Sequence, residues 1–298
     1  MKHKTTFFVL LSALTLFFIA LSCSNTNSPV IPQNTPVPNS SPVANTTPPA
    51  AAVKMISIHH STGSAWIASD TGNLGTNLNM NNYYVTESDY GWTASAVATG
   101  CGGTDIGNRT DTVNWPCWFT NETMPSVYTN TSHYSYPTNT VTDPGGECRV
   151  IIFKSCYPNS EVGDSTADEQ TIYNGLLAYF AAHQDKLFVL IIPPPEIEIE
   201  SAVLTRQLSS WLADRNTGWL SAYTYDNVYA FDYYNVLTNP DNHHRISTEG
   251  REEHIIGSAQ NTLYYYSGGD NHPTAAGHQK ATSEFLPLLN SWYNKWNE

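Results

Sequence analysis

Three apolar runs alternate with two stretches of helical periodicity, and this alternation constrains the fold more than any other feature of the sequence. Residues 150–153, 187–192 and 228–233 are rich in Val, Ile, Leu, Phe and Tyr. Between them, residues 165–185 and 202–215 carry apolar side chains three and four positions apart, as amphipathic helices do. Runs this apolar are typical of strands buried on both faces, and strands that alternate with helices form parallel sheets. The sequence therefore predicts an α/β fold with a central parallel sheet.

Further elements extend this pattern. Residues 55–58 and 83–87 are predicted as strands, and residues 274–296 as a closing helix with one apolar face. Residues 93–147 show little periodicity and are interpreted as long loops with a short helix around the site, and residues 238–269 as a second long loop region. Ligands bind at the carboxyl ends of the strands in parallel sheets, so polar residues there are the first candidates for chemistry.

The N-terminus has the pattern of an export signal. Lys2 and Lys4 precede an apolar run, residues 7–21, which is shorter than a comfortable bilayer span. The following Cys23, preceded by small residues, resembles the lipidated cysteine of a bacterial lipobox. We predict a lipoprotein signal peptide over residues 1–23 and a protein held in the bacterial cell envelope, facing the periplasm or the exterior. An ordinary signal peptide with a chance Cys is the alternative.

Composition limits the remaining organisation and the partners. Residues 24–52 contain seven Pro and no charged side chain, and they predict an extended or disordered linker before one domain over residues 53–298. The formal net charge is −13, so a phosphate backbone would be repelled and nucleic acid is not an expected partner. We expect a monomer whose membrane contact is the lipid on Cys23.

Four cysteines follow Cys23, and export permits disulfides between them. Cys148 and Cys156 flank a predicted strand, which would hold them roughly 26 Å apart. A disulfide needs Cα atoms within about 7 Å, so this pairing is excluded. If Cys148 is paired, its partner is Cys101 or Cys117, and the sequence leaves both open.

Three polar clusters lie at predicted strand ends or before the last helix. Ser61 follows the first strand in the run His-His-Ser-Thr-Gly, where a turn exposes the hydroxyl. Asn159 follows the central strand, and its amide can face a developing oxyanion. His272 lies two residues after Asp270 and directly before a Pro, which suits an oriented general base.

Together these clusters resemble the SGNH hydrolases, also called GDSL-like hydrolases, over about residues 54–294. The resemblance implies a flavodoxin-like three-layer sandwich with a central parallel sheet. It also implies Ser61 as nucleophile, His272 as base and Asp270 as third member. The oxyanion would be held by the N–H of Ser61, the amide of Asn159 and the N–H of Gly91, with Gly107 as the alternative glycine.

The motifs depart from the family pattern in three places. The usual Gly-Asp before the serine is His59-His60, and the usual Gly-x-Asn-Asp is Tyr-Pro-Asn-Ser. The family's Asp-x-x-His is Asp-x-His here, so a backbone carbonyl is an alternative partner for His272. Even so, the resemblance implies a serine esterase without metal or cofactor, and the N-terminal pattern implies that it is secreted and lipid-anchored. It would act on a small-molecule or polysaccharide ester, with a carbohydrate O-acetyl group as the expected substrate.

Other interpretations remain open at this stage. One is a catalytically inactive SGNH-fold lipoprotein that binds surface glycans. Another is a metal-dependent hydrolase with His59, His60, Asp270 and His272 as ligands. Ser61 is also a candidate helix N-cap, and His243 and His244 are expected to face solvent. Four tryptophans are candidates for core residues, while aromatic side chains of the 90–137 region are candidates for stacking on sugars. These tryptophans are Trp66, Trp92, Trp115 and Trp118.

Overall fold

The computed structural model describes residues 42–155, 165–197 and 202–298. The strands are β1 (Val53–Ile58), β2 (Tyr83–Ser88), β3 (Val150–Lys154), β4 (Leu187–Ile191), β5 (Val228–Phe231), β6 (His243–Ile246) and β7 (Glu252–Ile255). The α-helices are α1 (Thr62–Ile67), α2 (Leu74–Met80), α3 (Trp115–Trp118), α4 (Met124–Tyr128), α5 (Ala167–Ala182), α6 (Ala202–Ala213), α7 (Tyr233–Thr238) and α8 (Ala275–Trp296).

The first five strands form one parallel sheet in the order β2-β1-β3-β4-β5. This is the flavodoxin-like order, and it confirms the predicted α/β sandwich with a central parallel sheet. Ile58, the last residue of β1, lies opposite Ser88 on one side and Phe153 on the other. The three strands therefore end at the same level, and the residues that follow them share one edge.

Alternating side chains of each strand enter two separate cores. On β3, Ile151 and Phe153 pack against α5 and α6, while Val150 and Ile152 pack against α1, α2, α7 and α8. Because successive strand residues point to opposite faces, both faces of the sheet must be apolar to be covered. This requirement explains why the apolar runs of the sequence have no polar alternation.

The region after β5 differs from the predicted strand and loop. The strand ends at Phe231 because Asp232 caps α7, its carboxylate accepting the N–H of Asn235. Part of the predicted loop 238–269 is the antiparallel hairpin β6–β7. The expectation that His243 and His244 face solvent was wrong. His244 is 2 % exposed and accepts the N–H of Asp232, and the side chain of His243 is 19 % exposed and contacts Glu284.

The long segment between β2 and β3 is stapled by a disulfide from Cys101 to Cys117. Cys148 is a free, buried thiol that lies against the hydroxyl of Thr86, so neither pairing left open for it is present. Cys156 lies outside the described residues. The four candidate core tryptophans are all at most 7 % exposed, which confirms them as core residues.

The described end of the predicted linker, residues 42–52, lies against α8 without forming a helix or strand. The amide of Asn290 donates to the carbonyl of Thr46, and the amide of Asn294 donates to the carbonyls of Asn45 and Thr47. The compact unit thus begins before Val53. The predicted signal peptide and Cys23 lie outside the described residues. None of the described helices combines the length and apolar character needed to cross a membrane.

Replacing Cys101 and Cys117 by Ser is expected to lower the free energy of unfolding by about 3 kcal/mol, because the cross-link constrains the unfolded chain. Urea unfolding under non-reducing conditions measures the difference. With a reductant, wild type and variant should converge. A difference that persists in reductant would assign the effect to the serine side chains and contradict the stabilising role of the bond.

Candidate active site

Ser61 lies in a sharp turn between β1 and α1. Its backbone has φ 49° and ψ −110°, a conformation that non-glycine residues rarely adopt and that costs on the order of 1–3 kcal/mol. Ser61 holds the N-cap position of α1, yet its side chain makes no capping hydrogen bond. The Oγ atom instead lies 2.6 Å from Nε2 of His272. The strained turn therefore presents the hydroxyl to a histidine rather than to its own helix.

His272 is oriented by Asp270. Its Nδ1 lies 2.7 Å from Oδ1 of Asp270, and its backbone N–H donates to the same oxygen at 3.0 Å. The carboxylate folds back over two residues, so the short Asp-x-His spacing is sufficient for the contact. The hydrogen bond from the His272 side chain, joined by that from its backbone, lowers the pKa of Asp270 below its ordinary value.

The tautomer of neutral His272 follows from these two contacts. An ionised carboxylate only accepts hydrogen bonds, so Nδ1 carries the proton and Nε2 accepts from the hydroxyl of Ser61. This is the arrangement in which an imidazole can remove the proton of a serine nucleophile. The three groups are a Ser-His-Asp triad by geometry.

The loop that carries His272 is fixed on both sides. Gly269 has φ 90°, which a residue with a side chain rarely adopts, and it turns the chain toward Asp270. Thr274 caps α8 by accepting the N–H of Gly277. The side-chain oxygen of Asn271 accepts the N–H of Ile197 at 2.8 Å, which ties this loop to the segment after β4.

Behind Ser61, a buried histidine and glutamate connect β1 to β2. Nε2 of His59 lies 3.0 Å from Oε2 of Glu87, which is fully buried. The carboxylate of Glu87 also accepts the backbone N–H groups of Tyr134, Ser135 and Tyr136. His59 is thus a core histidine, and Glu87 anchors the end of the long β2–β3 segment.

Burial by itself raises the pKa of Glu87, but its partners outweigh this effect. The hydrogen bond and charge of His59, with the N–H groups of Tyr136 and Ser135, hold the pKa of Glu87 below its ordinary value. The carboxylate is therefore ionised at neutral pH although no solvent reaches it.

His60 faces the other way and stacks on Tyr90, with ring centroids 4.6 Å apart. Its side chain is buried, and burial, followed by the positive charge of Lys154, lowers its pKa to about 4. In α1, the hydroxyl of Ser64 donates to the carboxylate of Asp89 at 2.8 Å. The residues after β2 therefore pack directly on the turn that carries Ser61.

The candidate oxyanion donors differ in their present partners. No acceptor among the described residues takes the N–H of Ser61. The N–H of Gly91 donates to the side chain of Asn108 on the exposed surface. The N–H of Gly107 donates to the carbonyl of Trp92 inside a turn, where a Cβ would overlap the carbonyl oxygen of Asp89. Gly107 thus has a packing role, and Asn159 lies outside the described residues.

The residues proposed for a metal-dependent hydrolase are not brought together as one ligand set. His59 contacts Glu87, and His60 stacks on Tyr90. The imidazole of His272 lies between Asp270 and the hydroxyl of Ser61. Within the described ranges, no group of three or more His, Cys, Asp or Glu is arranged to hold a metal ion.

No family model, curated protein or solved structure matches the chain.

The triad lies at an open surface. The side chains of His272 and Asp270 are 43 % and 58 % exposed. A cavity of about 660 Å³ lies elsewhere, between α6, α8 and the β6–β7 hairpin, and none of the triad residues lines it. The triad and this cavity are therefore separate features of the described surface.

Glu87→Gln is expected to lower the free energy of unfolding at pH 7 by about 3–5 kcal/mol, because it places an amide against N–H donors and breaks a buried pair. Since the folded-state pKa is lowered, the contribution of Glu87 is complete above its unfolded pKa near 4.5 and is lost as the pH falls through the folded pKa. Urea unfolding from pH 7 to pH 3 should show wild type and variant converging in acid. The exposed Glu122→Gln is the control, and equal stability of wild type and Glu87→Gln at pH 7 would contradict the prediction.

Proposed function

We propose that the protein is a serine ester hydrolase in which Ser61 is the nucleophile, His272 the general base and Asp270 its orienting partner. The observation that carries the proposal is the pair of contacts on one imidazole. Nε2 of His272 lies 2.6 Å from the Ser61 hydroxyl, and Nδ1 lies 2.7 Å from Asp270. The turn at Ser61 is a second, independent feature, because its strained backbone exposes the hydroxyl.

The reaction proceeds in two acyl transfers. Oγ of Ser61 attacks the ester carbonyl carbon while its proton moves to Nε2 of His272. The carbon–oxygen bond of the ester then breaks, and the leaving alcohol takes that proton. Water repeats the sequence on the acyl-enzyme, which releases the acid and restores the Ser61 hydroxyl.

The negative oxygen of each tetrahedral intermediate requires N–H donors close to Ser61. The N–H of Ser61, which no acceptor among the described residues takes, is proposed as one donor, and the N–H of Gly91, now bound to the exposed side chain of Asn108, as a second. The amide of Asn159 is proposed as the third donor. Losing one such donor typically lowers the rate by about 10²–10³-fold.

The proposed substrate is an O-acetyl group on a carbohydrate. The exposure of His272 and Asp270 leaves room for a polymer chain across the site, whereas small apolar ligands favour enclosed pockets. The net charge of −13 favours a neutral glycan over a polyanionic one.

The proposed location is the bacterial cell envelope, with a lipid on Cys23 after removal of residues 1–22. The support is the N-terminal sequence pattern. The disulfide from Cys101 to Cys117 is consistent with an oxidising compartment. A glycan of the envelope or the surroundings would then lie within reach of the enzyme.

Ser61→Ala and His272→Ala are each expected to lower kcat for p-nitrophenyl acetate by at least about 10³-fold, because each removes a group that acts in the transition state. Asp270→Asn should lower kcat less than in a triad with a buried aspartate, because solvent stabilises the exposed imidazolium. The exposed Ser283→Ala of α8 is the matched control. Steady-state kinetics and labelling with a fluorophosphonate provide two readouts. Labelling or turnover that persists in Ser61→Ala would refute the proposed nucleophile.

A further inference from the structure

Tyr90 presents an exposed aromatic ring that packs on the residue directly before Ser61. It follows β2 by two residues, and its ring stacks on His60, the residue directly before Ser61, with an angle of 26° between the planes. One side of Tyr90 is thus supported by a buried ring, yet the residue is 57 % exposed. An exposed aromatic ring that is packed on the turn carrying Ser61 is a surface on which a substrate can stack.

The ring is held in place before any ligand arrives. Asp89 accepts the N–H of Tyr90 at 2.8 Å and the hydroxyl of Ser64 at 2.8 Å, which fastens the loop to the turn of Ser61. The buried, neutral imidazole of His60 supports the ring from below. A side chain that is already ordered loses little conformational entropy on binding, so its contact area contributes more fully to affinity.

We propose that Tyr90, supported by His60, is a stacking platform for a pyranose ring of the carbohydrate that carries the ester. This inference rests on the proposed function, which it extends from the reacting ester to the neighbouring sugar. The apolar C–H face of the sugar would lie on the Tyr90 ring, and its hydroxyl groups would point toward the polar surroundings.

The surroundings of the platform favour a sugar over an aromatic acyl group. Four polar side chains lie on or next to the segments that form this edge: Ser64, Asp89, Asn108 and Asp270. A sugar uses an apolar face and a polar rim together, whereas an aromatic acyl group favours an enclosed apolar slot. The tryptophans that the sequence offered for stacking are buried in the cores, so they cannot take this role.

The test compares two acetate esters that differ in the group beside the ester. The sugar ester is an acetylated xylo-oligosaccharide and the small ester is ethyl acetate, both followed in a pH-stat. In Tyr90→Ala, the loss of kcat/KM for the sugar ester should exceed the loss for ethyl acetate by about tenfold or more, mainly through KM. Tyr90→Phe keeps the ring, so its loss of kcat/KM for the sugar ester should be much smaller than that of Tyr90→Ala. Tyr225→Ala is the matched control. Tyr225 is 41 % exposed, but it lies before the N-terminal end of β5, whereas Tyr90 lies after the C-terminal end of β2.

Equal losses for both esters in Tyr90→Ala, or no loss for either, would overturn the platform. A loss for methyl ferulate as large as that for the sugar ester would also overturn it and indicate an aromatic subsite. If neither acetate is hydrolysed in a Ser61-dependent way, the proposed function fails, which is a separate result.

Binding without turnover tests the platform independently of the chemistry. The dissociation constant of unmodified xylohexaose is measured by calorimetry on Ser61→Ala and on Ser61→Ala combined with Tyr90→Ala. The second variant should bind about tenfold more weakly. Equal dissociation constants, or no binding to either variant, would overturn the proposal.

Discussion

The hydrogen bond between Ser61 and His272 joins residues 211 positions apart, so it forms only when the elements that carry the two residues are correctly placed. Ser61 is positioned by the end of β1 in the middle of the sheet, and His272 by the loop that precedes α8. The two supports are locked together inside one core, where the indole N–H of Trp66 on α1 donates to Thr282 of α8 at 2.9 Å. Because close-packed interiors resist displacement, this core sets the distance between Ser61 and His272.

The sheet and the contacts of His272 with Ser61 and Asp270 could be predicted from the sequence, for physical reasons. Strands covered on both faces must be apolar throughout, so residues 150–153 and 187–192 were recognisable from composition alone. Asp270 and His272 are two residues apart, so their contact depends only on local backbone geometry. Ser61 was found because the residues after parallel strands meet at one edge.

Other parts of the site depend on contacts that no local pattern records. Glu87 is a charge within a buried strand, which signals a special role, but its backbone partners come from a loop almost fifty residues away. The exposure of Tyr90 and the burial of nearby tryptophans follow from the fold of the long β2–β3 segment, whose sequence has little periodicity. The hairpin β6–β7 and the buried His244 were missed for the same reason, since polar residues in strands are satisfied there by side chains from elsewhere.

Helix α8 meets the active-site loop at its first turn and the N-terminal segment near its last. The side-chain amides of Asn290 and Asn294 donate hydrogen bonds to the carbonyls of residues 45–47. At the other end, Thr274 caps the helix two residues after His272. About sixteen residues separate these points, roughly 24 Å along the axis at 1.5 Å per residue. A mechanical pull on the chain before residue 45 would enter the domain at the far end of this helix. The load would be carried by α8 and the core beneath it, so the loop that holds Asp270 and His272 would be shielded from tension in the leading segment.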